Sequence, residues 1–229
     1  MNARFSFVAA VLTLFAAPAL AIGLADLSNK DTTAALKAAL TNSSLAAVEV
    51  LAKQDGFLGN ARVKIPLPAG LHKVEGLMRG LGMGKYADEL VTTMNRAAET
   101  AVVEAKPLLV NAVKNMSVQD AKGILSGGED AATQYFKRST AAGLTVKFLP
   151  IVRKATQKVK LADKYNEFAG KGAKFGLIDQ KDADLNNYVT QKALDGLFLM
   201  VAEEEKKIRQ DPTGSASSII SKVFGAIGR

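Results

Sequence analysis

Apolar residues recur at spacings of three and four along most of the chain, the period of amphipathic helices. The pattern is densest in residues 184–211, DLNNYVTQKALDGLFLMVAEEEKKIRQD. From Ala193 to Ala202 this stretch is apolar on almost every side, interrupted only by Asp195 and Gly196. A helix of that kind belongs inside a bundle rather than on its surface. Gly196 costs about 1 kcal/mol of helix propensity relative to alanine, so its presence predicts a close approach by another backbone. Past Ala202 the run turns to Glu203, Glu204, Glu205, Lys206, Lys207, Ile208 and Arg209, and the helix is expected to leave the core and finish in water. Asp211-Pro212 ends it, because a residue before proline disfavours the α region.

The remaining elements follow from the same reading. A helix starts at an Asp31 N-cap, with Leu36, Leu40, Ala47 and Leu51 as its stripe. Asn42-Ser43-Ser44 weakens its middle and Asp55-Gly56 breaks it. FLGNARVKIPLP, residues 57–68, is the least helical stretch: Pro66 and Pro68 keep Leu67 extended and restrict Ile65. It reads as an ordered connection whose Phe57, Leu58, Val63, Ile65 and Leu67 must find cover. A helix with Leu71, Val74, Leu77, Met78 and Leu81 follows, stopped by Gly80, Gly82 and Gly84. A long alanine-rich helix then runs from Lys85 to about Lys106, with Pro107 kinking or restarting it. Ser117 and Asp120 resemble a capping box. Glu129-Asp130 opens the next helix. Residues 140–149 and 150–161 follow as separate pieces, then a Gly- and Lys-rich helix around Tyr165 and Phe168. Ser215 caps a last short helix. No alternation is long enough for a strand. The expected fold is all-α: a single compact bundle of about nine or ten helices around a central apolar helix at residues 189–210.

Composition adds a compartment. Residues 1–21 carry Arg4, then FSFVAAVLTLFAAPALA with small residues at Ala19 and Ala21, the form of a cleavable signal peptide. The apolar run, broken at Pro18, is short of the roughly 18 to 20 residues needed to span a bilayer. Residues 22–30 read as a flexible leader and 31–229 as one α-helical domain. The protein is expected to be periplasmic or secreted after cleavage near Ala21, with no transmembrane segment left. There is no cysteine, which excludes disulfides and a lipidated N-terminal cysteine.

Charge adds a surface. Residues 22–136 hold twelve Lys/Arg against twelve Asp/Glu, and residues 175–229 seven against eight. Residues 137–174 hold ten basic side chains against Asp163 and Glu167. The net positive charge is thus local, which points to one face and argues against a nucleic-acid coat. Val152 and Val159 are expected to face inward, leaving Arg153, Lys154, Lys158, Lys160 and Lys164 as candidate anion-binding residues.

Catalytic and metal chemistry find little purchase. His72 is the single histidine, beside Leu71 and Val74, and reads as a half-exposed helix residue. No G-x-S-x-G elbow accompanies it. The glycines at 80, 82 and 84 precede a helix, but no strand leads into them, so a helix-turn-helix connector fits better than a phosphate cradle. Glu203, Glu204 and Glu205 point about 100° apart and cannot converge on one ion. Glu203 with Lys207 and Glu205 with Arg209 have the favoured i, i+4 order. Asp195, among apolar neighbours, is the buried polar candidate. No catalytic residue, metal ligand or cofactor is assigned.

Several phrases recur together: DGFLGN with KIPLP, NRAAE, GGEDAATQYFKRST, and YVTQKALDGLF with AEEEKKIRQDP. In this order they resemble a bacterial family catalogued as domain of unknown function 4197, over roughly residues 36–224. The resemblance implies an exported α-helical protein and supplies no activity, cofactor or substrate. Some relatives are lipoproteins, a route closed here by the lack of cysteine.

Three functional classes stay open. The first is a noncatalytic binding or interaction protein of the cell envelope, contacting anionic lipid, lipopolysaccharide or acidic glycan through the basic segment. The second is a carrier of an apolar ligand such as a lipid within the bundle, with residues 57–67 as a lid. The third is an enzyme using Asp130, Asp195 or Tyr135, which would need a carboxylate with a raised pKa in apolar surroundings.

Overall fold

The structure is a computed structural model, and it describes residues 29–69, 75–76, 79–82, 84–174 and 183–210. Among them every regular element is helical. The helices are α1 (Asn29–Ala52), α2 (Gly84–Ala101), α3 (Ala105–Asn115), α4 (Val118–Ser126), α5 (Ala131–Thr156), α6 (Lys160–Lys174) and α7 (Leu185–Gln210). The expected signal peptide, His72 and the expected helix at Ser215 lie outside the described residues.

The helices are fewer and longer than the expected count among these residues. Helix α1 starts before Asp31 and runs through Asn42-Ser43-Ser44 without a break. The hydroxyls of Ser43 and Ser44 donate to the carbonyls of Leu40 and Thr41, so two buried polar groups are satisfied inside the helix. The pieces expected at 131–140, 140–149 and 150–161 are joined in one helix, α5, that runs through Pro150 and ends at Thr156. Pro150 removes one donor, but it lies on the exposed side, where water can serve the freed carbonyl of Val146. Pro107 acts as expected: a 3-10 turn, Val102–Glu104, joins α2 to α3 one turn ahead of it. Ser117 and Asp120 close a reciprocal capping box at the start of α4.

Helix α7 packs most extensively on α5 and α1. Leu194, Leu197, Phe198, Met200 and Val201 are buried, and Leu36, Leu40 and Leu51 of α1 join the same cluster with Phe136, Leu144 and Phe148 of α5. The asparagine and aspartate before α7 fix its start: Asp184 accepts from the N–H groups of Asn186 and Asn187, and Asn166 of α6 accepts from that of Leu185. Helix α5 runs antiparallel to the α2–α3 rod. Ala97 and Thr100 lie near Ile151, Leu108 reaches Gly143, and Tyr135 donates to the carbonyl of Ala112 at 2.8 Å.

The connection at residues 53–68 is ordered and clamped from two helices. Phe57, Val63, Ile65 and Leu67 all enter the core. Glu99 of α2 accepts from the N–H groups of Phe57 and Leu58 at 3.1 and 3.2 Å. Asn95, one turn earlier, exchanges two hydrogen bonds with the backbone of Ile65 at 2.8 and 2.9 Å. Arg96 bridges Glu99 and Asp55, whose φ of 65° makes the left-handed turn out of α1. From α7, Tyr188 donates to the carbonyl of Pro66. Gly196 does mark a close approach, though the neighbour is a side chain rather than a backbone: a Cβ there would lie 2.8 Å from Phe57 Cε1 and 3.3 Å from Val63 Cβ.

Candidate functional site

A candidate site must offer side chains that the fold leaves free. The two buried carboxylates among the described residues, Glu99 and Glu205, are not free. Glu205, 4% exposed, accepts from the N–H groups of Ala132 and Thr133 and from the Thr133 hydroxyl, at 2.8 to 2.9 Å. It thereby caps α5 from a different helix, a use of negative charge at a helix N-terminus that also suits the dipole. Asp130, the N-cap by position, makes no capping bond. Arg209 pairs with Glu205 at 2.9 Å, the expected i, i+4 pair, and also donates to the carbonyl of Ile124. Both oxygens of Glu205 and both of Glu99 are thus occupied by donors. A general base must come within hydrogen-bond reach of its substrate, and both side chains are buried and already hold structural donors.

The three successive glutamates diverge as helix geometry requires. Glu203 pairs with Arg62 rather than with Lys207, Glu204 takes Lys207 at 2.6 Å, and Glu205 turns inward instead of ending in water. No group of three metal-capable side chains occurs among the described residues.

Asp195 is not buried. It lies on the exposed stripe of α7 with Gln191, Lys192 and Leu199, and accepts from Gln191 Nε2 at 2.9 Å. Its sequence neighbours Leu194 and Gly196 are buried because they point about 100° to either side. Asp130 is exposed and held by Gln134. Tyr135 is buried, and burial pushes its phenol above the usual tyrosine range. The glycine run is a turn: Gly82 has φ +72° and donates to the carbonyl of Arg79 at 3.1 Å. Arg79 itself is taken by Glu75 and Asp88 at 2.8 and 2.6 Å, with Asp88 held below the usual carboxylate range by that guanidinium.

The basic segment behaves in the opposite way. Arg153 and Lys154 sit in the last turn of α5, Lys158 in the turn after it, and Lys160 and Lys164 on α6. All five are exposed, while Val152 and Val159 between them are buried. None of the five is in an ion pair among the described residues. The arginines make the contrast sharpest. Arg62, Arg79, Arg96 and Arg209, outside the segment, each hold a carboxylate. Arg138 and Arg153, inside it, have no ion pair among the described residues; Arg138 acts only at longer range, helping Ser117 to lower the pKa of Asp120.

The fold separates the five cations. Lys154 and Lys158, four residues apart, share one side of the chain. They line a groove of about 460 Å³ against α2, with Ile151, Ala155, Val159 and Ala97 as apolar lining and Arg96 and Thr100 across from them. Arg153 points about 100° away from Lys154, and neither it, Lys160 nor Lys164 lines that groove. The α2 side of the groove was not foreseen, since its residues lie more than fifty positions earlier in the chain.

The family described as "Protein of unknown function (DUF4197)" matches residues 26–225, most of the chain. The chain belongs to this family. No curated protein and no solved structure gives a significant match. The phrases that carry the resemblance fall on the clamps just described. NRAAE supplies Asn95, Arg96 and Glu99; DGFLGN and KIPLP are what those residues hold; AEEEKKIRQDP supplies Glu205, which caps the helix begun by GGEDAATQ, and its partner Arg209.

Proposed function

We propose that this member of the DUF4197 family is a noncatalytic, exported binding protein of the cell envelope that contacts an anionic envelope component through residues 137–174. One observation carries the reading: in the segment that holds the chain's excess positive charge, the cations whose side chains are described are exposed and have no ion pair among the described residues, whereas every described arginine elsewhere is paired. Free cations keep their full attraction for an external anion, while paired ones must first break a contact. Export rests on the form of residues 1–21. An exported protein meets phospholipid head groups, lipopolysaccharide phosphates and acidic glycans before it meets nucleic acid. No helix among the described residues is long and apolar enough to cross a membrane.

Co-sedimentation with phospholipid vesicles tests the proposal. Wild type is expected to bind vesicles rich in anionic lipid and not neutral ones, and to lose binding as salt rises, since exposed charges are screened beyond about 10 Å at 0.1 M. Arg153→Glu/Lys154→Glu/Lys158→Glu should lose it at low salt. Equal binding to neutral vesicles would contradict the proposal.

The carrier reading has the clamped connection against it. A lid over an enclosed ligand must open, and residues 57–67 are tied by Asn95, Glu99 and Tyr188 and plugged by Phe57. The enzyme reading loses the burial of Asp195 that motivated it.

A further inference from the structure

We infer that the seam between the α2–α3 rod and α5 is a binding site for a single-chain or two-chain anionic amphiphile, its phosphate on a lysine stripe and its acyl chain along the apolar floor. This rests on the proposed anionic reading and narrows it to one place and one ligand chemistry, a phosphate carried on a hydrocarbon chain.

The stripe follows from spacing. Lys147, Lys154 and Lys158 are seven and four residues apart, which puts them on one side of α5 and its final turn. All three are exposed. Lys154 and Lys158 border the groove already described. Lys147 borders a second groove, of about 680 Å³, farther along the same seam. That groove is lined by Pro107, Leu108 and Val110, with Lys106 and Lys114 on its other bank. Opposite the stripe, Thr100, Val103, Pro107 and Val110 follow one another at steps of three and four, so the two grooves share one side of the rod. Val103, between them, is 46% exposed.

The chemistry of the seam selects the ligand. An apolar floor bordered by cations is complementary to a molecule with an anionic head and a hydrocarbon tail. A polyanionic glycan would use the lysines and leave the floor uncovered. The acidic side chains on the seam do not neutralise it. Glu89 is the one carboxylate that borders the first groove, none borders the second, and Glu49 sits 3.9 Å from Lys106 at the edge of ion-pair range. Arg96 is held by Glu99 and Asp55 and contributes less than the lysines.

Isothermal titration of the full mature chain tests the inference, with lysophosphatidic acid below its micellar concentration and glycerol phosphate as the same head group without a chain. Wild type is expected to bind the lysolipid at least about tenfold more tightly than glycerol phosphate, each methylene the tail buries adding roughly a factor of four. Lys147→Glu/Lys154→Glu/Lys158→Glu should weaken lysolipid binding by at least about tenfold, each surface lysine being worth roughly a factor of five towards an anionic lipid. Val103→Ser, at an exposed position that the fold can spare, should weaken the lysolipid and leave glycerol phosphate unchanged. Arg153→Glu/Lys160→Glu/Lys164→Glu, off the seam, should weaken lysolipid binding less than the seam variant does. Equal affinity for glycerol phosphate and lysolipid would overturn the inference, because the floor would then be idle. Loss of binding in the off-seam variant with retention in the seam variant would also overturn it, and would leave the broader anionic reading standing. Binding to anionic vesicles without binding to monomeric lysolipid has the same consequence. Failure of wild type with both vesicles and lysolipid removes the broader reading and this one together.

Discussion

The clamped connection and the basic segment treat charge in opposite ways. Around residues 53–68 the polar side chains that hold the connection have internal partners: Asn95 on Ile65, Glu99 on Phe57 and Leu58, Arg96 on Glu99 and Asp55. Along α5 and α6 the cations have none among the described residues and stand on the outer side of helices whose inner side, with Leu144, Phe148, Val152, Val159 and Tyr165, is buried. Burying a polar group is costly unless it is hydrogen-bonded, so the first set exists to be satisfied within the chain. The second set costs the fold little and is free to meet something else. Changes in the clamp should therefore act on stability, and changes in the stripe on binding.

The largest effect is expected at Phe57. It is fully buried beneath Gly196, and Phe57→Ala should cost about 3 to 5 kcal/mol, read as a lowered midpoint in urea unfolding. Glu205→Ala comes next. It strips three donors from the N-terminus of α5 of their acceptor and leaves Arg209 with only the carbonyl of Ile124 among its described partners in hydrogen bonds, an expected loss of about 2 to 3 kcal/mol in the same assay. Glu205→Gln, which keeps an acceptor, should lose less; an equal loss would mean that charge, not capping, is what matters there.

Gly196→Leu is smaller because two effects oppose. Overpacking against the Phe57 ring costs about 1 to 3 kcal/mol, and helix propensity returns about 1. A net fall in melting temperature is expected, and it should shrink when Phe57→Leu makes room, a non-additivity that a double-mutant cycle reads directly. An unchanged melting temperature would mean that α7 does not need the gap.

A weaker effect again is expected at Asp120. Hydrogen bonds from Ser117 hold its carboxyl below the ordinary value of 3.8, with Arg138 helping. The folded pKa lies below the unfolded one, so this capping contribution is complete above pH 3.8 and fades as pH falls through the lower, folded value. Asp120→Asn should flatten that part of the stability profile, and an NMR titration should place the Asp120 midpoint below 3.8.

How far the sequence reaches differs between the two regions as well. The basic segment is legible because its information is local: ten cations in one run, with valines seven apart marking the inner side. The same is true of the Ser117–Asp120 box and of the break before Pro107. The clamp is not local. Glu99 reaches back 42 positions to Phe57, and Glu205 reaches 73 to Ala132. A pattern read along the chain marks Glu205 as one of a solvated run, since nothing in the run says that a helix N-terminus will lie beneath it. Asp195 is misread for a related reason. Its apolar neighbours in sequence are not its neighbours on the helix, where Gln191 and Leu199, the latter 41% exposed, share its stripe. Pro150 suggests a boundary that tertiary packing overrides, because α5 is held along its length by α2, α3 and α7.

The smallest effect on stability, and the largest on binding, should belong to the lysine stripe, and measuring both on one protein tests the account most directly. Lys147→Glu/Lys154→Glu/Lys158→Glu changes only exposed residues without ion pairs among the described ones, so its unfolding free energy should stay within about 0.5 kcal/mol of wild type for each substitution. On the same sample, co-sedimentation with anionic vesicles at low salt should fall to the level seen with neutral vesicles. Unaltered binding in a protein of unaltered stability would contradict the claim that these free cations are what the molecule presents to its surroundings.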